Sequence, residues 1–222
     1  METSEAKKIV IINGSPRKEG NCSYLASTFK KELPKQLPTK VHGDNILIFS
    51  PHSHKIAPCR GCEKCHTSKD KSGQCVIADD FNDLATALES ADVLIWISPL
   101  YFGTMSAQMK AIVDRFQMFW SRNVLAGDPK GLAANRSKPA IAFYVCGHLD
   151  PFKTTAATGA SLLPLKYASN TAGYTLEAAK RRGKGDIMAI IGPDKPGSIK
   201  DSYYRALIND ALHMTADIIW EI

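Results

Sequence analysis

The sequence lacks any apolar run long enough to cross a bilayer. Its longest runs, Val93 to Ile97 and Ala140 to Cys146, fall far short of the roughly 18 residues that a membrane-spanning helix needs. The first residues mix acidic and basic side chains and lead straight into an apolar segment, without the small-residue cleavage site of a secretory signal. These absences predict a protein that has no membrane association and that works in the cytoplasm.

Charge of one sign is also scarce, and no repeat or low-complexity segment is present. The 28 basic and 22 acidic residues give a net charge of +6, which permits attraction to phosphorylated ligands but is too scattered to indicate nucleic acid. The densest basic cluster, Lys180 to Lys184, contains a glycine and is typical of a solvated loop. With 44% hydrophobic and 23% charged residues, the chain is not disordered, collagen-like or coiled-coil.

Five short apolar runs recur along the chain, each rich in Val, Ile or aromatic residues and bounded by turn residues. They are apolar throughout and do not alternate with polar residues, which is typical of strands in a parallel sheet covered on both faces. The runs are Lys8 to Ile12, Ile46 to Phe49, Val93 to Ile97, Ala140 to Val145 and Ile187 to Ile191.

Segments with helical spacing of apolar residues lie between these runs. The first is expected to end near Pro34, and Asp80 is placed to cap the second. The predicted helices carry the stripes Cys22 to Leu33, Phe81 to Leu88, Met109 to Trp120 and Tyr204 to Ile219, and a fifth lies within the Ala- and Leu-rich segment from Pro151 to Thr171.

Strands that alternate with helices predict right-handed crossovers and a doubly wound α/β sheet of about five strands. We therefore expect residues 1–222 to form one domain. The segment at about 51–75 is unusually long for a connection in such a fold, which indicates a functional insertion.

The first apolar run leads into a polar loop that precedes the first helix. Ligands of an open parallel sheet bind beyond the carboxyl ends of its strands, and the N–H groups at a helix start favour anions. The loop lacks the Gly-Lys-Ser/Thr ending of a nucleoside triphosphate loop and the G-x-G-x-x-G spacing of a dinucleotide site. We predict a site for one phosphate monoester; the alternative is a capped turn with a surface arginine. Its candidate ligands are Ser15, Arg17, Asn21, Cys22 and Ser23.

Two further loops are expected at the same edge of the sheet. The loop after the third run carries two aromatic residues and a glycine, on which a planar aromatic ligand could rest, although packing against neighbouring helices would also explain the aromatics. The loop after the fourth run brings Gly147 and His148 to the same ligand, or forms a simple turn. The candidates in the earlier loop are Pro99, Leu100, Tyr101, Phe102 and Gly103.

Four of the six cysteines fall within the long loop. The run Cys59-x2-Cys62-x2-Cys65 brings three thiolates within reach of one centre, and Cys75 follows after nine intervening residues. Four thiolates suit a [4Fe–4S] cluster or tetrahedral zinc, and the triple run favours iron–sulfur. Disulfides, disfavoured in a reducing cytoplasm, and a C-x-x-C redox dithiol stay open as alternatives. Further candidate ligands for zinc are His52, His54 and His66.

Three segments in this order resemble the flavodoxin-like NADPH-dependent FMN reductases, especially their iron–sulfur flavoprotein branch. They are GSPRKEGN, CRGCEKC followed by GQCVIADDF, and ADVLIWISPLYFGTMSAQMKAIVDR. The resemblance spans most of the chain. It implies a three-layer flavodoxin-like sandwich and bound FMN, with the phosphate on the first loop and the isoalloxazine ring along Pro99 to Gly103.

The resemblance also implies a [4Fe–4S] cluster on the four cysteines of the long loop, which passes single electrons to and from FMN. Cys22 stands where similar proteins more often carry Thr, so we expect one side-chain hydrogen bond to the phosphate to be weaker or missing and the main-chain donor to be kept. Lys110, Asp114 and Arg115 match the family as well. An ion pair between Lys110 and Asp114, four residues apart on a helix, explains that pair without catalysis, and we leave all three outside the site.

Three functions remain open at this point. The first is an FMN-dependent oxidoreductase with a cluster that takes electrons from NAD(P)H or ferredoxin and passes them to a small-molecule or protein acceptor. The second is a cluster-free NAD(P)H-dependent FMN, quinone or nitro reductase, and the third is a non-catalytic flavin electron carrier. None needs a catalytic acid or base, because FMN supplies the chemistry. The resemblance further implies a homodimer or homotetramer.

Overall fold

The computed structural model describes residues 6–67, 74–146, 162–176, 188–191 and 202–222. Its strands are β1 (Ile9–Asn13), β2 (Ile46–Phe49), β3 (Val93–Tyr101), β4 (Thr104–Met105), β5 (Lys138–Cys146), β6 (Tyr174–Leu176) and β7 (Met188–Ile191). Its helices are α1 (Asn21–Gln36), α2 (Lys64–Thr67), α3 (Phe81–Ser90), α4 (Ala107–Arg115), α5 (Gln117–Leu125), α6 (162–171) and α7 (Ser202–Trp220).

The central strands form a parallel sheet in the order β2-β1-β3-β5. The position outside β5 is shared by two strands that both run parallel to it: β6 pairs with residues 138–140 and β7 with residues 143–146. The predicted doubly wound sheet is therefore confirmed, with its fifth position divided between two strands.

Both faces of the sheet are covered by helices, which explains why the strands are apolar throughout. Alternate residues of a strand point to opposite faces. Ile9 and Ile11 pack in one core with α1 and α7, whereas Val10 and Ile12 pack in the other with α3, α4, α5 and α6. The structure has the predicted three layers.

The third strand is longer than predicted, and the predicted loop after it is a hairpin. β3 continues to Tyr101 and turns back into β4, because Leu100 pairs with Met105 and Tyr101 with Thr104 in an antiparallel ladder. Pro99 to Tyr101 thus belong to a strand, and Phe102 and Gly103 form its turn. The short strand β6 was not predicted, since three residues after a helix carry too little periodicity.

Two of the helices differ in their bounds from those predicted. The third predicted helix is two helices, α4 and α5, which meet at Phe116. Pro34 lies inside α1, which continues to Gln36 and closes with an N–H bond from Leu37 to the Leu33 carbonyl. Residues 151–161, Ile187 and Asp201 lie outside the described residues.

The cap of α3 is supplied by a neighbour of the predicted residue. Oδ1 of Asp79 accepts the N–H of Phe81 at 3.1 Å, whereas Asp80 turns away and accepts the N–H of Lys55 at 2.6 Å. Oδ2 of Asp79 also accepts the N–H of Ala57 at 2.8 Å, so both carboxylates tie the chain after Cys75 to the segment before Cys59. Among the described helices, none is both long and apolar enough to pass through a membrane.

Candidate functional site

The junction between β1 and α1 is held by a chain of hydrogen bonds. Asn13, the last residue of β1, is fully buried; its Oδ1 accepts the N–H of Ser15 at 2.9 Å and its Nδ2 donates to Ser23 Oγ at 3.1 Å. Ser23 Oγ in turn donates to the carbonyl of Arg17 at 2.8 Å, and the N–H of Arg17 donates to Ser15 Oγ at 3.2 Å. Three of the five predicted phosphate ligands thus belong to one network around Asn13.

The start of α1 suits an anion from outside the chain. Its cap residue is Gly20, which has no side chain to accept the N–H groups of the first turn, and no acidic residue lies in that turn. The first N–H groups of a helix have no partner within the helix and carry a partial positive charge. Arg17 is exposed just before this start. This arrangement fits the phosphate of FMN.

Cys22 contributes to this junction differently from its neighbours. Its thiol is buried and packs in the core with Leu25 and Phe29. Burial raises the pKa of this thiol to about 12, against a smaller lowering by Arg17. Cys22 therefore stays neutral, and only its main chain faces the phosphate loop.

A cavity of about 630 Å³ lies beside the junction, between the first turns of α1 and the segment after β2. Asn21 and Ser23 line it, together with Asn13, whereas Ser15, Arg17 and Cys22 do not. The hairpin of β3 and β4 does not line it either, so this cavity does not join the two predicted parts of the flavin site.

The β1 loop and the hairpin are joined through Ser106, which sequence reasoning missed. Its Oγ donates to the carbonyl of Gly14 at 2.6 Å and accepts the N–H of Met109 at 3.1 Å, which caps α4. Gly14 lies so close to α4 that an added Cβ would stand 2.6 Å from Cβ of Met109. A serine directly before a stripe of apolar residues was the available signal for this cap.

The hairpin turn presents two aromatic residues to solvent. Phe102 is fully exposed and has φ of 49°, and Gly103 has φ of 78°. A two-residue hairpin turn of type I′ requires positive φ at both positions, where glycine or asparagine is favoured and a bulky residue is unusual. Tyr101 is 39% exposed. Gly147 and His148, predicted in the third loop, lie outside the described residues.

The four cysteines of the long loop line one cavity of about 700 Å³ beside α5. All four are free thiols; Cys59 and Cys62 are exposed, whereas Cys65 and Cys75 are half-buried. Sγ of Cys65 lies 3.5 Å from Oγ of the buried Ser121 on α5. His66 also lines the cavity and stacks on Trp120, with ring centroids 5.7 Å apart.

The backbone of the cysteine run turns through two left-handed residues. Gly61 has φ of 62° and Glu63 has φ of 57°. A residue with a Cβ pays roughly 1–2 kcal/mol in this region, and such strain persists mainly at functional sites. Within the described residues, no three His, Cys, Asp or Glu side chains are close enough together to hold a metal ion. The donor set suits a thiolate centre, although its four members are not gathered on one point.

A buried ion pair fastens both ends of this loop. Arg115, at the end of α4, is 1% exposed and forms a two-pronged bond to Asp79, with Nη1 at 2.7 Å from Oδ2 and Nη2 at 3.0 Å from Oδ1. Nη1 also donates to the carbonyl of Ala57 at 2.9 Å, two residues before Cys59. The predicted pair of Lys110 and Asp114 is present on the surface, but Arg115 has a structural role that we had not assigned.

Each member of this ion pair shifts the pKa of the other in the direction that favours its charged form. Burial acts to raise the pKa of Asp79, but the hydrogen bonds from Arg115 and from the N–H groups of Ala57 and Phe81 hold it below its ordinary value. Burial acts to lower the pKa of Arg115, and Asp79 and Cys75 together raise it above its ordinary value. The sequence signal for this role was the position of Arg115, three residues after Ile112 on the apolar stripe of α4.

The described fold is that of the flavodoxin-like α/β proteins. The structure is similar to that of NAD(P)H:quinone oxidoreductase from Methanothermobacter marburgensis, with a TM-score of 0.60 and 12% identity over 96% of this chain and 95% of that chain. It is also similar to a flavodoxin, WrbA-like protein from Agrobacterium tumefaciens, with a TM-score of 0.51 and 13% identity over 98% and 99% of the two chains. At such low identities, these likenesses show the fold alone.

A match to a family model shows the family to which this chain belongs. The model of the NADPH-dependent FMN reductases matches residues 7–148, more than half of the chain. The chain therefore belongs to this family of flavin-dependent oxidoreductases, and the resemblance stated from its motifs is confirmed.

Curated proteins with similar sequences carry the name iron–sulfur flavoprotein. One from Methanocaldococcus jannaschii is 28% identical over 193 residues, which are 80% of this chain and 94% of that protein. One from Archaeoglobus fulgidus is 36% identical over 120 residues, 54% of this chain and 50% of that protein. One from Methanosarcina thermophila is 32% identical over 126 residues, 57% and 61% of the two chains. In the last two cases the match spans about half to three fifths of the relative's length.

Proposed function

We propose that this protein is an FMN-dependent oxidoreductase that moves electrons between a reduced donor, such as NAD(P)H or ferredoxin, and an acceptor, through FMN and a [4Fe–4S] cluster on Cys59, Cys62, Cys65 and Cys75. The single observation that carries the proposal is that all four thiols line one cavity of a chain that belongs to the NADPH-dependent FMN reductase family. The names of the similar proteins support the same combination.

The junction of β1 and α1 supports the FMN part of the proposal. Asn13 fixes Ser15 and Ser23 by buried hydrogen bonds, so the loop is already shaped before a ligand binds. The uncapped start of α1 and the exposed Arg17 supply positive charge for a phosphate. The strained, exposed Phe102, on the hairpin that Ser106 joins to the β1 loop, supports a role for the hairpin in contacting the flavin ring.

Helix α4 connects the two proposed centres. Its first residues lie at the β1 loop through Ser106, and its last residue, Arg115, lies at the cysteine loop. Eight residue steps at 1.5 Å each place these ends about 12 Å apart. A smaller cavity of about 260 Å³ lies along the same helix, between Ala107, Ala111 and the segment that leads from β2 to Cys59. This placement supports electron exchange within one chain.

When bound, FMN exchanges an electron pair with a hydride donor and a [4Fe–4S] cluster exchanges single electrons. The described residues then have three tasks: to hold the phosphate, to position the ring, and to bind and shield the metal centre. No acid or base of the chain is required for these tasks. Assembly as a homodimer or homotetramer remains a prediction from the resemblance.

An anaerobic absorbance spectrum tests the proposal, with FMN, iron and zinc quantified on the same sample. We expect flavin bands with a broad iron–sulfur shoulder that bleaches with dithionite, together with about one FMN and four iron atoms per chain. Flavin bands without iron after anaerobic reconstitution would contradict the cluster. Colourless protein that binds no added FMN would contradict the whole proposal.

The second candidate function is a cluster-free NAD(P)H-dependent FMN, quinone or nitro reductase. The observation that favours it is that no three metal-ligand side chains stand close together among the described residues. In this case the cysteine loop would be structural or would hold zinc. The same sample separates the two functions, because the second predicts steady NAD(P)H oxidation with flavin bands alone.

A further inference from the structure

Arg115 leaves one of its donors unused in a place where water does not reach. The side chain is 0% exposed, and both Nη atoms donate hydrogen bonds to Asp79 and to the carbonyls of Ala57 and Ile77. Its Nε is buried and donates to no atom of the described residues. A buried donor of a charged group without a partner is rare and costly, which indicates that Nε gains a partner in a state of the protein other than the one described.

Cys75 lies two residues before Ile77 and four residues before Asp79, both of which accept hydrogen bonds from Arg115. It packs against the same core cluster as the residues around Arg115, and it lines the cysteine cavity together with Ile77, whose carbonyl accepts from Nη2. Cys75 and Asp79 are the two charges that raise the pKa of Arg115. Arg115 therefore adjoins Cys75, a half-buried proposed cluster ligand, whereas Cys59 and Cys62 are exposed.

We propose that Arg115 is the buried countercharge of the cysteine-bound centre: its Nε donates to the sulfur of Cys75 when that sulfur is a ligand, and its positive charge raises the reduction potential of the centre. The inference rests on the proposed function, since it presupposes a [4Fe–4S] cluster. Reduction adds one electron and one negative charge, and no bond forms or breaks. A nearby cation and hydrogen bonds to ligand sulfurs stabilise the added charge.

Asp79 weakens the effect of the Arg115 charge on the reduction potential, and its replacement tests the direction of that effect. Its carboxylate neutralises part of the guanidinium charge through the two-pronged bond. Replacement of Arg115 should therefore lower the potential, whereas Asp79→Asn, which removes the neutralising charge, should raise it. If Arg115 only held the loop ends in place, both replacements would weaken cluster binding. The two variants would then not show reduction potentials shifted in opposite directions.

The experiment uses the full chain, purified and reconstituted under anaerobic conditions with iron and sulfide. Dithionite supplies the electrons, and the reduced cluster is quantified by electron paramagnetic resonance at a series of fixed potentials. We expect Arg115→Gln to lower the equilibrium constant for one-electron reduction of the cluster about tenfold. This change lowers the reduction potential by about 59 mV for a one-electron couple. Arg115→Lys should shift it less, because a charge remains without the planar fork.

Arg122→Gln is the matched control. Arg122 lies on the adjacent helix α5 and forms an exposed ion pair with Glu89 at 2.6 Å, away from the cysteine cavity. This variant should keep the wild-type potential. FMN content and far-ultraviolet circular dichroism of each variant report whether the fold is retained.

The outcomes are distinct. Wild-type protein that binds FMN but no cluster overturns the proposed function and this inference with it. A wild-type cluster whose potential is unchanged in Arg115→Gln and Asp79→Asn overturns the inference alone. Loss of iron from every Arg115 and Asp79 variant, with FMN retained, would mean that the pair only holds the cysteine loop in place. This result also overturns the inference. Opposite shifts in the two variants support it.

Discussion

At the end of β1 the side chains that shape the loop are buried, whereas in the cysteine loop the side chains that would bind the ligand are largely exposed. Asn13 and Ser106 are 0% exposed and Ser15 is 3% exposed, but Cys59 and Cys62 face solvent. The first region is built as part of the core and is shaped without its ligand. The second is fastened by a buried ion pair, and the proposed cluster would have to bring its thiols together.

The largest expected effect comes from removing one exposed thiol. Cys62→Ser is expected to reduce bound iron to background and to leave FMN content unchanged, because Cys62 touches the cavity and not the β1 junction. Iron and FMN assays on anaerobically reconstituted protein measure both. The matched control is Cys22→Ala, a cysteine outside the cavity, which should keep its iron. Iron loss in both variants would mean that the four-cysteine assignment is wrong.

The loop after β1, which is shaped without a ligand, should be sensitive to a single added methyl group. In Gly14→Ala, the new Cβ would stand 2.6 Å from Cβ of Met109, so the β1 loop or α4 must move. Overpacking of this kind costs about 1–3 kcal/mol, which urea unfolding can measure. FMN retention should fall in parallel.

Gly43→Ala is the control for that substitution, since an added Cβ at Gly43 meets nothing within 4 Å. It should leave both the free energy of unfolding and the FMN content near their wild-type values. Equal behaviour of the two glycine variants would contradict the close packing of the β1 loop on α4.

The fastening of the cysteine loop should depend on pH. Because the pKa of Asp79 is below its ordinary value of 3.8 in the folded protein, its ion pair contributes stability that is fully present above that value and is lost as the pH falls through the lower folded-state pKa. We expect the difference in unfolding free energy between wild type and Asp79→Asn to be largest from about pH 5 upward and to shrink toward pH 2.

Urea unfolding of both proteins between pH 7 and pH 2 measures this dependence. Repeating it in 1 M salt is the control, because a buried pair is screened much less than a surface pair. A difference that stays constant over the whole range would show that the carboxylate charge of Asp79 has no part in the fastening.

The smallest effect is expected from the surface pair on the same helix. Lys110 and Asp114 are 52% and 42% exposed, so Lys110→Ala should change the free energy of unfolding by no more than about 0.5 kcal/mol. Thermal unfolding provides the measurement. A loss several times larger would mean that Lys110 has a partner beyond Asp114.

The sequence allows prediction of the features that local pattern determines. Apolar runs gave the strands of the sheet, and the position of Arg17 and Ser23 after the first run indicated the anion site. The run of cysteines predicts a thiolate centre, and the structure places the four cysteines around one cavity. The four cysteines and the five residues of the phosphate loop remain predictions as ligands.

Long-range contacts could not be predicted. From the sequence we left Arg115 outside the site and without a role, because nothing local reveals that Asp79, 36 residues earlier, lies against it. The link from Ser106 to Gly14 spans 92 residues and is equally hidden. The hairpin after β3 was missed because its second strand has only two residues.

The central claim is that the junction of β1 and α1 binds the phosphate of a flavin nucleotide. Calorimetric titration of the flavin-free protein with FMN and with riboflavin, which lacks the phosphate, tests it most directly. We predict that the wild type binds FMN at least tenfold more tightly than riboflavin and that Arg17→Ala loses about 1.5–3 kcal/mol of this preference, while Arg136→Ala, a distant exposed arginine, keeps it. Equal affinity of the wild type for FMN and riboflavin would contradict the claim.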